Sequence, residues 1–317
     1  MSERLNPIII ERINKTVASN LKNRPLLKIK IILRLAELIS YLPLSVLRLL
    51  GLGMGIISAS LNTRAIKVSR INLRLAHPTM SEEEVEKISR LRMRQLGKLS
   101  LETPKMWRKG SQWLDSKIVD IEGIEYLNDA LSDNKGTIAI APHFGNWEVV
   151  GQWLSQKAPM TSLYKPPKDP LIEKWVKDSR ESCGATLVPT NVRGVAAVMK
   201  ALKRGELTGI LPDQQPPPDS GAFSPYFGIP ALTMTLIHNL IQRTDCRAIV
   251  CLAELVPGGW KLIFRPVSED LYSTDQDIHL AALNREIESV AMLVPDQYQW
   301  EYKRYRTQPD GDSNFYS

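Results

Sequence analysis

The chain has 317 residues, enough for one large domain or two of ordinary size, and its 43% hydrophobic and 24% charged content excludes a disordered or fibrous chain. Its three cysteines, Cys183, Cys246 and Cys251, form no C-x-x-C pair; this argues against a disulfide scaffold and for a reducing, cytoplasmic-side compartment, and with four histidines and no tight Cys/His cluster no zinc site is suggested. The formal charge of +7 is unevenly placed: residues 1–75 hold thirteen Lys/Arg against Glu3, Glu11 and Glu37, a net +10, so the other 242 residues sum to about −3 and the N-terminal quarter faces an anionic partner such as lipid, nucleic acid or an acidic protein.

Residues 1–24 are polar and basic, expected to be irregular or partly helical. Residues 25–62 are dense in isoleucine and leucine but interrupted by Arg34, Glu37, Pro43 and Arg48, so no stretch of about 20 residues is both charge-free and helical enough for a clean membrane span. The apolar part begins too late for a signal peptide, and no small-residue cleavage site follows. A pair of interfacial helices fits better, with basic residues at lipid headgroups and leucines in the acyl region; an ordinary buried helical hairpin is the alternative. Residues 62–118 read as helical, with Ser81-Glu82-Glu83-Glu84 after Pro78 as a helix start and Gly110-Ser111 as the end. Residues 120–131 hold a short strand and a helix.

From Thr137 the pattern becomes α/β. Strand-like runs fall at Thr137–Ala141, Thr161–Tyr164, Thr186–Val188, Thr208–Leu211, Ala248–Leu252 and Leu262–Phe264. Helical patterns separate most of them, at Trp147–Gln156, Pro170–Ser182, Val195–Lys203 and Thr233–Arg243. This predicts an α/β fold with a mostly parallel central sheet flanked by helices, residues 1–62 forming an N-terminal membrane-associated segment and 63–317 an α/β domain with 63–118 as its helical lead-in. Ligands of such sheets sit beyond the C-terminal ends of strands. His143, Tyr164-Lys165 and Asp213-Gln214 all fall there.

The stretch Thr137–Gly151 carries the chemistry. A strand is closed by Pro142, followed by His143, a Gly-Asn turn signal and a helix near Trp147, with Asn146 as its expected N-cap and Glu148 in its first turn. Across that turn Glu148 is expected to reach one imidazole nitrogen of His143, fixing the tautomer and leaving the other nitrogen as a general base toward an alcohol. A His-x-x-x-x-Glu spacing is weak by itself; the strand before and helix after give it weight.

With His143-Phe-Gly-Asn-Trp-Glu148 at a strand-to-helix junction, the chain resembles the lysophospholipid acyltransferase superfamily, and within it the bacterial lipid A late acyltransferases of the lauroyl/myristoyl type. Further blocks match in order: Leu163-Tyr-Lys-Pro-Pro-Lys-Asp-Pro170, then Leu211-Pro-Asp-Gln214 followed by Phe223-Ser-Pro-Tyr-Phe-Gly228-Ile-Pro-Ala, and Pro295-Asp-Gln-Tyr-Gln-Trp-Glu-Tyr-Lys-Arg-Tyr-Arg306. Lys165, Lys168-Asp169 and Glu301-Tyr302 depart from the family pattern, which usually has Arg, Asn and a His-containing pair there; a lysine lacks the bidentate fork of arginine.

The resemblance implies an O-acyltransferase without cofactor or metal, moving an acyl group from a thioester, acyl-acyl carrier protein by expectation, to a hydroxyl of lipid A or its precursor at the cytoplasmic face of the bacterial inner membrane. His143 and Glu148 are then catalytic, and Tyr164, Lys165, Arg180, Arg193 and Asp213 substrate-binding, Asp213 alternatively setting the histidine. Oxyanion donors would be the first N–H groups of the Trp147 helix or Arg180. No Gly-x-Ser-x-Gly elbow calls for an acyl-enzyme. Tyr298, Trp300, Lys303, Arg304 and Arg306 alternate aromatic and basic character, as a headgroup-facing surface would. Another lipid acceptor, or a non-catalytic basic membrane protein, are the competing readings; nucleic acid is disfavoured because the basic segment lacks interleaved aromatics.

Overall fold

The computed structural model describes residues 27–311 and 315–316, so the expectation for residues 1–24 lies outside them. The described residues open with four helices: α1 (27–39), α2 (Leu44–Ser60), α3 (Arg64–Ala76) and α4 (Glu82–Asp115). The α4 start is the expected capping box, Ser81 and Glu84 satisfying each other's backbone N–H. Gly110 does not end α4 but breaks its direction at φ 72°, after which the helix resumes to Asp115.

The α/β part follows as β1 (Ile118–Glu122), α5 (Ile124–Ser132), β2 (Thr137–Ile140), α6 (Trp147–Leu154), β3 (Met160–Tyr164), α7 (Pro170–Glu181), β4 (Ala185–Pro189), α8 (Val192–Lys203) and β5 (Leu207–Ile210). A hairpin, β6 (Gly221–Tyr226) and β7 (Ile229–Met234), then precedes α9 (Leu236–Thr244), β8 (Arg247–Val256), β9 (Gly259–Pro266) and α10 (Gln276–Leu293). Seven strands form one sheet in the order β1-β9-β8-β2-β5-β3-β4, parallel at every pairing except β8–β9. The sheet is therefore mostly parallel, as the alternating pattern predicts.

One expectation needs correction, and two elements were not anticipated. The run from Thr233 is not helical at its start: Thr233 and Met234 end β7, and α9 begins at Leu236. The β6–β7 hairpin turns on Phe227 (φ 48°) and Gly228 (φ 76°), so a phenylalanine holds a left-handed position that Asn or Gly normally marks. The hairpin was invisible for that reason. Helix α10 was not anticipated either; Asp275 caps it by accepting from the N–H groups of Asp277 and Ile278.

Strand alternation divides the core. Ile138 and Ile140 face α8 and α9 through Val198, Leu202 and Leu240, while Ala139 and Ala141 face α6 through Val149 and Val150. The N-terminal helices follow a different logic. α2 turns Gly51, Gly55 and Ala59 inward and lies along α4 at backbone contact: a Cβ on Gly97 would come 2.0 Å from the Gly51 carbonyl oxygen, and one on Gly55 2.3 Å from that of Met93. Apart from the buried Leu47, most of its large apolar side chains point outward instead, Leu49 67% and Ile57 59% exposed, and Leu35 and Leu38 on α1 are exposed too. This is not the buried hairpin of the alternative reading. The glycine contact generates a prediction. Gly97→Ala forces α2 and α4 apart and costs about 1–3 kcal/mol, whereas Gly53→Ala, whose Cβ meets nothing within 4 Å, gains up to about 1 kcal/mol from helix propensity. Denaturant unfolding of the two variants measures the contrast.

Candidate active site

β2 and β5 are neighbours in register, Ile140 opposite Ile210. Each is followed by one apolar residue, a proline and then a polar residue: Ala141-Pro142-His143 on one strand, Leu211-Pro212-Asp213 on the other. His143 and Asp213 thus leave adjacent strands at equivalent offsets and meet. Asp213 Oδ1 lies 2.8 Å from His143 Nδ1, and Asp213 Oδ2 accepts the His143 backbone N–H at 2.8 Å. One carboxylate fixes both the ring and the main chain of the same residue. Asp213 is 3% exposed. Its burial opposes ionisation, but the charge of the His143 ring and the bonds from ring and backbone N–H outweigh it and hold the carboxyl below its ordinary pKa.

The opposite ring nitrogen, Nε2, faces the side-chain amide of Gln214 at 3.2 Å, and that amide also donates to Gln299 Oε1 at 2.9 Å. With Nδ1–H directed at Asp213, Nε2 carries the lone pair and accepts from Gln214. Trp147 packs edge-on against the ring at 4.7 Å between centroids.

The loop that carries His143 is held from three sides. Gly145 sits at φ 52°, where a Cβ would come 2.0 Å from the Ala253 carbonyl oxygen. The Gly145 N–H donates to the Gln297 carbonyl at 2.9 Å, and the Gln299 N–H donates to the His143 carbonyl at 3.0 Å. Asn146 stands at the N-cap of α6 but does not cap it; its amide donates at 2.8 Å to Glu102 Oε1, which also accepts from Trp260 Nε1 at 3.0 Å. Arg48 completes that cluster, pairing with Glu102 at 2.9 Å and donating to the Val256 and Gly259 carbonyls. Helices α2 and α4 thereby brace the loop.

Glu148 does not reach His143. Its carboxylate is bidentate with Arg180, through Nη2 and through Nε at 3.0 Å, and accepts from Trp107 Nε1 at 3.3 Å. The turn after His143 places Glu148 on the first turn of α6 facing α7, so the strand neighbour Asp213 takes the position expected of it. Burial disfavours the Arg180 cation, but Glu148 outweighs that and leaves its pKa raised.

Between sheet and α6 lies a cavity of about 450 Å³ into which His143, Glu148 and Arg180 project at one end. It exists because the sheet face beneath α6 is built from small residues: Ala139, Ala141, Ser162, Ala185 and Gly209 all line it, and Gly151 lines it from the helix. Tyr164 and the exposed Lys165 lie along the same cavity, the Tyr164 hydroxyl donating to Glu173 at 3.1 Å. Arg193 is exposed at the start of α8 and is not among the residues lining it.

The closing block is not a headgroup-facing surface. Tyr298, Trp300 and Arg304 are 4%, 2% and 3% exposed, and Arg304 donates to the Leu232 carbonyl and to Thr233. Both departures there are accommodated structurally: Glu301 pairs bidentately with the buried Arg92 at 2.8 Å, and the Tyr302 hydroxyl accepts the Gln215 N–H at 3.0 Å. Asp169, where the family has Asn, caps α7 through the N–H groups of Leu171 and Ile172. Gln214 stands at the strand end where the sequence places it, whereas Trp107 and Glu102 were missed as site residues: both sit on α4, about 40 residues upstream of the partners they hold, with no local signal.

Residues 21–307 match the family described as bacterial lipid A biosynthesis acyltransferase. The chain is 31% identical over 283 residues to the lipid A biosynthesis palmitoleoyltransferase of Escherichia coli strain K12, covering 87% of this chain and 90% of that protein. It is 28% identical over 285 residues to the lauroyltransferase of the same organism, covering 86% and 90%. Identity to the K12 myristoyltransferase is 24% over 279 residues, covering 84% and 82%. This chain belongs to the bacterial lipid A biosynthesis acyltransferase family and is an acyltransferase.

Proposed function

We propose that this protein transfers a fatty acyl chain from an acyl-acyl carrier protein thioester to a hydroxyl of a lipid A precursor, with His143 as general base. The observation that carries the proposal is the His143–Asp213 pair at the mouth of an apolar cavity. Nε2 takes the proton of the acceptor hydroxyl as its oxygen attacks the thioester carbonyl. Asp213 stabilises the imidazolium that forms, in the manner of the third member of a triad. The C–O bond forms, the C–S bond breaks, and the proton passes from the imidazolium to the departing sulfur. No acyl-enzyme is needed. Arg180, held by the Glu148 carboxylate that Trp107 also donates to, stabilises the oxyanion or an anionic group of the acceptor in this reading. The relatives differ in the acyl chain their names give, so membership leaves chain length open.

The acceptor is a membrane lipid, and the exposed apolar face of α1 and α2 supports docking on the cytoplasmic surface of the inner membrane. Small residues turned inward and leucines turned outward invert the pattern of a soluble helix. No single helix among the described residues is long and apolar enough to cross a membrane, although α2 and α3 together, bent by 76°, pass by length and composition. Lys28, Lys30 and Arg34 flank the face and suit anionic headgroups. The acidic surface of a carrier protein would suit the same positive charge.

Purified protein supplied with acyl-acyl carrier protein and a lipid A precursor tests the reaction: acylated precursor is expected, and product only on a different lipid hydroxyl would reassign the acceptor. Asp213→Asn lowers turnover by roughly 10²–10⁴. Because the Asp213 pKa is depressed by folding, its contribution to stability is present above the ordinary carboxylate pKa and is lost as pH falls through the lower, folded value. The stability gap between wild type and Asp213→Asn therefore holds from neutral pH to about pH 4 and closes only below it; acid titration of unfolding checks the sign.

Glu148 and Arg180 act as one unit, so Glu148→Gln, Arg180→Gln and the double variant lose activity to similar extents rather than multiplicatively. Arg180→Lys does not rescue, because lysine cannot reproduce the bidentate fork. Steady-state kinetics of the four proteins decides this. Replacing Leu49 and Ile57 together by serine weakens binding to anionic vesicles in sedimentation by about a hundredfold or more, on burial of two large apolar side chains, while leaving Asp213 and His143 in place.

A further inference from the structure

The cavity under α6 has a floor as well as a mouth. His143 stands at one end, beyond the last residue of β2. At the other end Met160 opens β3, 6% exposed, beside Leu154 at the end of α6 and Leu187 on β4. Met160 does not stay at its own strand level. It pairs with Leu207, yet its methyl group reaches to within 2.8 Å of the place where a Cβ on Gly209 would stand, two residues further along β5. The thioether tip therefore lies across the strand level of Gly209 and its partner Ala139. Gly209 is what lets it lie there, and Ser162 Oγ accepts the Gly209 N–H at 3.1 Å beside it.

Resting on the reading of this cavity as the acyl site, we propose that Met160, seated over Gly209, sets the length of the fatty acyl chain, and that Gly151 sets the width of its path. From Ala139 to His143 is four residues, roughly 13 Å at the rise of a strand. An extended chain gains roughly 1.2 Å per bond, taking the peptide main chain as the guide, so the channel holds about ten to twelve carbons. Truncating Met160 moves the floor toward the level of Leu207, at most roughly 6 Å deeper. Gly151 faces the channel from the helix, and a Cβ there meets nothing within 4 Å. A larger side chain at 151 enters the channel rather than the protein core, and improves helix propensity.

The test uses the full-length protein and a series of non-transferable thioether analogues of acyl-pantetheine, lengthened two carbons at a time, with affinity measured by calorimetry. Affinity is expected to rise about fourfold per buried methylene and then level off. In wild type the break falls at about ten to twelve carbons. In Met160→Ala it moves about two to four carbons longer, and in Gly151→Leu about two to four shorter. A break at the same length in all three proteins overturns the proposal. Thermal melts of Gly151→Leu near wild type separate channel filling from misfolding. Transfer with the same chain lengths is read in parallel: transfer to the lipid A precursor with an unmoved break defeats the length assignment alone, and a moving break without transfer upholds the length assignment while defeating the assigned acceptor.

Discussion

The site depends on one buried carboxylate that binds the same residue twice. Asp213 takes the ring N–H and the backbone N–H of His143, so the rotamer of the imidazole and the path of its loop are set by a single group. The pairing is possible because β2 and β5 are parallel neighbours and each ends with a proline two positions after residues that are already paired. Two strands in register deliver two polar residues to the same point, and 3% exposure of the carboxylate removes competition from water. The remainder of the site follows: Nε2 faces the cavity side, Gln214 and Gln299 complete the ring's surroundings, and Glu148 is released to hold Arg180.

Small residues have two separate uses in this molecule. On the sheet face beneath α6 they leave a cavity, because Ala139, Ala141, Gly209 and Ala185 fill too little of the space that Ile138, Ile140 and Ile210 fill on the opposite face. Between α2 and α4 they do the reverse and remove space, bringing backbones into contact and leaving most large apolar side chains of α2, Leu47 excepted, on the outer face. The two regions are mechanically joined. Arg48 of α2, Glu102 of α4 and Asn146 of the His143 loop form one hydrogen-bonded chain, anchored on the turn between β8 and β9. The exposed apolar face of α2 and the loop that carries His143 are thus joined through one hydrogen-bonded chain.

Much of this was legible in the sequence. The apolar runs beginning near Thr137, Thr161, Thr186, Thr208 and Ala248 are strands because β-formers recur there between helical periods, and the sheet is mostly parallel for the same reason. His143 was placed correctly at a strand end. Its ring partner was assigned first to Glu148, which proximity in the chain favours, with Asp213 setting the histidine only as an alternative implied by the resemblance; register between strands, which a single sequence does not state, selects Asp213. The repeated Ile-x-Pro-polar pattern at 140–143 and 210–213 is the signal that carried the answer. Phe227 in a left-handed turn concealed the β6–β7 hairpin, and long-range packing buried the closing block that alternation had placed on the surface. Glu102 and Trp107 reach the site only because α4 crosses it, a tertiary fact with no local trace.

Nitrogen-15 NMR of the four histidines, with His143 assigned by comparison with His143→Gln, measures the central claim most directly. In the neutral ring, Asp213 should hold the proton on Nδ1 and leave Nε2 bare, and Asp213→Asn should abolish that preference. A His143 ring protonated on Nε2, or one whose tautomer is unaffected by loss of the Asp213 carboxylate, would contradict it.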